Sequence, residues 1–276
     1  MKRFKTILII SAWMVANFCS CKKNKGTDKP NIPRPPAVAY EFEPTPSWQD
    51  DFSGATLNSD AWKLHAPGPR QDGYNDMTGM SFDGNAFINK VYSDTISGTV
   101  THHAGMIRTN QEFKYGKFEA KISFVNSLGS WSAFWLQSPT MGNPIGSPKT
   151  AGMEIDVVES LSNDGAAYQN LHWDGYGSDH KTAGVKTADF GVNSGNYHIY
   201  TLEWTPDYYK FYVDGTLTWT YTANVSQRSE FIILSSEVKK YAVGTWAGPI
   251  PVNGFGSLKH TVTIMKVESI KWYKLK

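Results

Sequence analysis

The sequence predicts an all-β domain, a sandwich or a barrel built from short strands and turns. Three observations carry this. Stretch after stretch alternates apolar and polar residues, the period-2 pattern of a half-buried strand. Asp214-Gly215 stands between two apolar runs, the strongest short signal for a two-residue hairpin. No segment has the 3.6-residue apolar period of a three-turn amphipathic helix, and no repeat of fixed period is present.

Composition agrees. The chain has 276 residues, 40% hydrophobic and 19% charged, which is globular and long enough for one large domain. A net charge of +2 and the lack of a basic stripe argue against a nucleic-acid partner. The 10 Trp, 14 Tyr, 14 Phe and 24 Gly suit strands, turns and a carbohydrate-facing cleft.

The first segment, residues 1–21, reads as a leader. Lys2, Arg3 and Lys5 precede an apolar run from Ile7 to about Phe18, too short for an ordinary membrane span. It ends in FCSC and resembles a bacterial lipoprotein signal, with Phe18 where Leu is usual. That resemblance implies a lipidated Cys21 and anchoring to a bacterial membrane, at the outer membrane or cell surface. Cleavage by a type I signal peptidase is the alternative. Both cysteines lie here, so the mature domain relies on packing without a disulfide. Residues 22–46, rich in Lys and Pro, read as an extended tether.

Residues 47–276 form the predicted domain. In KYGKFEAKISFV (114–125), Phe118, Ala120, Ile122 and Phe124 share one face, with Lys117, Glu119, Lys121 and Ser123 on the other. WSAFWLQ (131–137), MEIDVVES (153–160), HIYTLEWT (198–205), YYKFYVDGTLTWTY (208–221), EFIILSSEV (230–238) and HTVTIMKVESIKWYKL (260–275) also read as strands, with a turn at 205–207. The Gly/Pro-rich stretches 65–85 and 139–152 read as long loops of the kind that carries function.

The strand at 153–160 poses a problem of phase. Glu154 and Asp156 share a face, but strict alternation turns Glu159 to the other. One extra residue at Val157-Val158, absorbed in a β-bulge, would bring Glu159 back to the first face. Without a bulge Glu159 is an ordinary outward acid. Aligned acids repel, so such a row suggests function: crowding keeps one carboxyl protonated beside an ionised neighbour. Glycoside hydrolysis needs that pair, one carboxylate to attack and one acid to donate. Trp131, Ala133 and Trp135 share one face of their strand, either as core or as a floor for a sugar ring. His102, His103 and His180 have no metal-ligand spacing and read as locally hydrogen-bonded residues.

EIDVVE (154–159) resembles the bulged E-x-D-x-x-E signature of glycoside hydrolase family 16, laminarinase-like branch. KYGKFEAKI (114–122) and GSWSAFWLQ (129–137, Ser132 in place of the usual Pro) resemble its conserved strands. YHIYTLEWTPDYYKFYVDG (197–215) and MKVESIKWY (265–273) follow in the family's order. The resemblance implies a jelly-roll β-sandwich, concanavalin-like, with a concave substrate cleft and endo-acting, retaining cleavage of a β-linked polysaccharide. Carried over by position, Glu154 is the nucleophile, Glu159 the general acid/base and Asp156 the assisting carboxylate. Trp131 and Trp135 face substrate, His172 lies close to the acid/base or the next sugar, and Trp173, Tyr176, Glu237 and Trp246 are further sugar contacts.

The resemblance implies no required cofactor. It leaves a structural calcium possible on the convex side, where Glu268 replaces the usual Asp, without indicating ligands. The expected substrate is a β-1,3 or mixed β-1,3/1,4 glucan, handled by a monomer. A galactan-type chain is the alternative, for which Arg70, Lys149 and Arg108 would supply a basic cleft. A lectin-like binding protein on the same sandwich would need the aromatics but not the acids.

Overall fold

The computed structural model describes residues 39–276 except Ser97 and Asn163. The leader, Cys21 and residues 22–38 lie outside the described residues. The strands run β1 (Trp48–Asp50), β2 (Trp62–Leu64), β3 (Gly68–Arg70), β4 (Gly73–Asn75), β5 (Met80–Phe82), β6 (Phe87–Lys90), β7 (Tyr92–Ile96), β8 (Thr99–Ala104) and β9 (Met106–Thr109). They continue with β10 (Gly116–Val125), β11 (Ser130–Gln137), β12 (Glu154–Leu161), β13 (Ala166–Trp173), β14 (Lys181–Asp189) and β15 (Tyr197–Trp204). Last come β16 (Tyr209–Val213), β17 (Thr216–Tyr221), β18 (Phe231–Val238) and β19 (Ile264–Tyr273), with a single-turn helix α1 at Pro148–Ala151.

Two antiparallel sheets form a jelly-roll sandwich. One has the order β17-β16-β15-β10-β19-β6-β5, with β1 also paired to β19; the other has β14-β13-β12-β11-β18-β9-β2. A smaller sheet, β3-β4-β8-β7, carries the parallel pair β4-β8. The core lies between the two large sheets. Phe118, Ala120, Ile122 and Phe124 of β10 pack in one cluster with Phe134 and Leu136 of β11, Ile155 of β12 and Ile232 and Leu234 of β18. Alternation therefore holds on β10 and β11 as the sequence predicts, and the opposite face of β11 and β12 is left free for another use. The hairpin at Asp214-Gly215 joins β16 to β17, both residues having positive φ (48° and 76°), as the right-handed twist of its strands requires.

Two boundaries differ from the sequence reading. The compact unit begins at Tyr40, inside the predicted tether. Phe42 bridges Leu275, Glu43 N–H donates to Lys274 O at 2.9 Å, and Lys276 N–H donates to Glu41 O at 3.0 Å. The end of the C-terminal strand has free backbone groups, and an extended segment passing beside it satisfies them despite its composition. The stretch 65–85 is not one loop: it contains β3, β4 and β5. Its glycines and prolines mark turns between strands too short to show an alternating pattern.

Candidate active site

A cleft of about 790 Å³ opens on the free face of the β14-to-β2 sheet. β12 supplies its acids. Glu154 pairs with Gln137 of β11 and His172 of β13, and Asp156 with Trp135 and Asn170. Between Asp156 and Glu159 the register slips: Phe134 faces Val158, Trp135 faces Asp156, and Val157 is the extra residue. Both valines are fully buried in the core cluster. Two adjacent apolar side chains on one face are what a bulge permits, and they reset the alternation. Glu159 consequently lines the cleft with Glu154 and Asp156.

Glu154 and Glu159 each accept hydrogen bonds, whereas the buried Oδ2 of Asp156 has no hydrogen-bond partner among the described residues. Tyr176 Oη donates to Glu154 Oε2, and Gln137 Nε2 donates to the same oxygen at 3.1 Å. His172 Nε2 lies 3.3 Å from Asp156 Oδ2 and 3.9 Å from Glu154 Oε1. Asn170 Nδ2 donates to Glu159 Oε2 at 2.7 Å. Asn170 reaches that position across Gly184 of β14, its register partner; a Cβ on Gly184 would overlap Asn170 Oδ1. Behind the site, buried Glu230 Oε1 accepts from Met153 N–H at 3.1 Å and so fixes the entry to β12.

Burial, then the neighbouring Asp156 charge, pushes the Glu154 carboxyl up to about 8, against the Tyr176 hydrogen bond and the His172 charge. The same two causes hold Glu159 well above the usual carboxylate range, opposed by Asn170. Burial also raises Asp156, with His172 opposing. Three buried acids crowded in one cleft cannot all be ionised, so protons are retained. Glu154 has two neutral donors on one oxygen and an imidazole nearby, and is the better prepared to carry charge. His172 is pulled down by burial, but the Asp156 carboxylate 3.3 Å away and the Glu154 charge raise it overall.

The aromatic lining is mixed in outcome. Trp131 and Trp135 both face the cleft, with Ala133 between them opposite Glu159. Trp135 Nε1 donates to Ser235 Oγ at 3.0 Å. Trp131 packs edge-on against Tyr241 and Trp246, and Trp246 against Tyr168. Trp246, Tyr176 and Glu237 line the cleft. Trp173 does not. It belongs to the core cluster beside Tyr221, because His172 faces the cleft and the next residue of a strand must face away. His172 lies beside Asp156 and Glu154, whereas the neighbour of Glu159 is Asn170.

Of the basic residues, Arg70 lines the cleft and grips Glu237 with two hydrogen bonds, Nε to Oε2 at 2.8 Å and Nη2 to Oε1 at 3.1 Å. Arg108 lies instead over the Phe231 ring at 4.3 Å, and Lys149 sits on α1. His103 is held between Asp76 and Asp94, and His102 meets Ser93 Oγ, both local hydrogen bonds. His180 also makes a local hydrogen bond, to His172, and in addition lines the cleft. Glu268 is paired to Lys121 at 2.7 Å. Donor atoms of Glu154, Asp156 and His172 converge within 4.8 Å, and none is assigned to a metal. Asn170 and Gln137 were missed by sequence reasoning. Counting back two from His172 would have found Asn170, but Gln137 gains its role only through pairing with β12.

Comparisons with known proteins follow this geometry. Residues 74–266 match the family model described as glycosyl hydrolases family 16. The chain is 30% identical over 185 residues to a keratan-sulfate endo-1,4-beta-galactosidase of Sphingobacterium multivorum, covering 63% of this chain and 42% of that protein. It is 30% identical over 188 residues to a beta-1,3-glucan-binding protein of Penaeus monodon, covering 64% and 48%. It thus spans under half the length of these two curated relatives. The catalytic domain of an endo-1,3-beta-glucanase (laminarinase) from Thermotoga petrophila RKU-1 superposes with a TM-score of 0.69 at 19% identity, covering 86% of this chain and 100% of that one, a likeness of fold.

Proposed function

The chain belongs to glycosyl hydrolases family 16, and we propose that it is an endo-acting, retaining β-glycoside hydrolase whose substrate is a β-1,3 or mixed β-1,3/1,4 glucan. The observation that carries this is the bulge at Val157, which brings Glu154, Asp156 and Glu159 to one face of an aromatic-lined cleft.

In the first step ionised Glu154 attacks the anomeric carbon. The glycosidic C–O bond breaks as Glu159 passes its proton to the leaving oxygen, giving a glycosyl ester on Glu154. In the second, Glu159 takes a proton from water, the water oxygen attacks the same carbon, and Glu154 leaves as carboxylate. Two inversions retain configuration. Asp156, between them, adjusts the charge of both. Trp131 and Trp135 offer flat surfaces for the C–H faces of sugar rings, and the Arg70–Glu237 pair and Asn170 offer polar partners for hydroxyls. An open cleft admits the middle of a chain, which favours internal cleavage. Both hydrolytic steps are carried by side chains of this chain without a cofactor.

A galactan-type substrate is the second reading, favoured by the galactosidase among the relatives. The glucan-binding relative raises a third, binding without cleavage; the complete set of acids weighs against it. A panel of laminarin, mixed-linkage glucan, agar, porphyran and keratan sulfate with product sizing decides among these. Oligosaccharides from a glucan support the first reading, and from a galactan alone the second. Binding without products overturns the hydrolase. Proton NMR of the first product would show the retained anomer, and an inverted one sinks the two-step mechanism. We further propose that the protein acts as a monomer held by a lipid on Cys21 at the outer membrane or cell surface; labelled palmitate should enter the parent and not Cys21→Ser.

A further inference from the structure

We infer that His180 is a positioning residue for this hydrolysis: it accepts the hydrogen bond of His172 Nδ1–H, so that His172 stands as a cation with Nε2 beside the carboxylates of Asp156 and Glu154. The inference rests on the reading of Glu154 as nucleophile.

The two rings lie nearly parallel, 17° apart with centroids at 5.0 Å, and His172 Nδ1 is 2.9 Å from His180 Nε2. One of these nitrogens carries the hydrogen and the other accepts it. Their surroundings decide which. His172 Nε2 is within 4 Å of two carboxylates, 3.3 Å from Asp156 and 3.9 Å from Glu154. His180 has no acid partner among the described residues; its other ring neighbour is Tyr176, at 5.9 Å. Positive charge is therefore favoured on His172, which then carries hydrogen on both nitrogens, and His180 is the neutral acceptor.

The acceptor is held in place. His180 N–H donates to Gly177 O at 3.2 Å, closing a turn. Lys181, which follows, pairs at 2.6 Å with buried Asp174, whose Oδ1 accepts from Gly146 N–H. The turn that carries Tyr176 and His180 is thus pinned at its base, and one short segment supplies a donor to Glu154 and an acceptor to His172.

The groups facing His172 are Glu154 and Asp156 from β12, Tyr176 and His180 from the turn, and, lining the same cleft, Arg70, Glu237 and Glu159. The His172 cation offsets one negative charge of the acid row. It lowers the cost of ionising Glu154 and leaves the retained proton with Glu159, farther along the strand and paired to Asn170. Without His180, Nδ1–H faces mobile water, the cation weakens, and Glu154 ionises at higher pH.

His180→Ala should move the acid limb of kcat/KM up by about half a pH unit and lower kcat several-fold, with KM within about two-fold. His180→Gln, whose amide oxygen can accept from Nδ1–H, should restore both. An unmoved limb, or a raised KM at unchanged kcat, overturns the inference, the second marking His180 as a sugar contact. Ring ¹⁵N shifts of His172 in the unaltered protein at pH 7, assigned by loss of the signal in His172→Asn, should report both nitrogens protonated; a neutral ring overturns it. If the protein cleaves no polysaccharide the hydrolase reading fails, and the ring-nitrogen measurement still decides the state of His172.

Discussion

Replacing Glu154 with Gln should abolish hydrolysis and stabilise the folded protein. The folded carboxyl is pushed from 4.5 up to about 8 by burial and by Asp156. A folded-state pKa above the unfolded value means that the associated stability is complete below pH 4.5 and is lost as pH rises toward 8. Each pH unit in that interval costs about 1.4 kcal/mol. At pH 7 the interval is about 2.5 units, so burying this acid costs the fold at most about 3–4 kcal/mol. Gln has the same shape and no charge to desolvate. Part of the gain is returned, because one carboxyl oxygen becomes an amide NH2 that faces His172 Nε2, 3.9 Å from Glu154 Oε1. The net expectation is about 1–3 kcal/mol, or roughly 2–10 °C in Tm for a domain of this size. Urea unfolding of parent and variant at pH 4.5 and pH 7.5 tests it. The gap should be present at pH 7.5 and close at pH 4.5, while kcat falls by about three orders of magnitude or more. A variant no more stable than the parent at pH 7.5, or a gap of equal size at both pH values, refutes the charge-crowding account of the site.

Five other variants separate the roles proposed for individual residues. Deleting Val157 removes the extra residue and leaves Glu159 four places after Glu154, on the cleft face by plain alternation, so a folded deletion variant, checked by near-UV circular dichroism, should still release reducing sugar; a folded variant with no activity would contradict the reading of Val157 as the extra residue. Glu159→Gln should lower kcat/KM on polysaccharide by about 10²–10⁴-fold, with a much smaller loss on an aryl glycoside whose leaving group needs no proton. Trp131→Ala should weaken oligosaccharide binding by about 1 kcal/mol in calorimetry, whereas Trp173→Ala should cost about 3–5 kcal/mol of stability and leave binding unchanged. Gly184→Ala displaces Asn170 from Glu159; with that donor gone the acid holds its proton more firmly, so the basic limb of the pH profile should move upward.

The alternation that built β10 and β11 was readable because each residue's face there depends only on its place in a regular strand. Phe118 to Phe124 and Trp131 to Trp135 fall where counting puts them. Counting failed in instructive ways at β12 and β13. At Glu159 it gave two answers, since a bulge depends on how neighbouring strands pair and leaves no mark on local propensity. At Trp173 the position-by-position resemblance suggested a sugar contact, but the orientation of His172 already required the opposite face. The tether boundary differs for a related reason: composition describes a segment alone, whereas residues 41–43 are ordered by pairing with residues 274–276, just past the end of β19.

The sequence by itself determined the strands, the hairpin at Asp214-Gly215, and three acids with an aromatic pair one strand away, because those features follow from local periodicity and short spacings. Only the tertiary structure decided that Val157 is the residue the ladder leaves out, and that Gly184 makes room for Asn170. It also brought Gln137, Tyr176 and His180 around acids far from them in the chain. Register, and the shared burial that raises the three carboxyls together, are properties of strands once they are paired, and no single strand contains them.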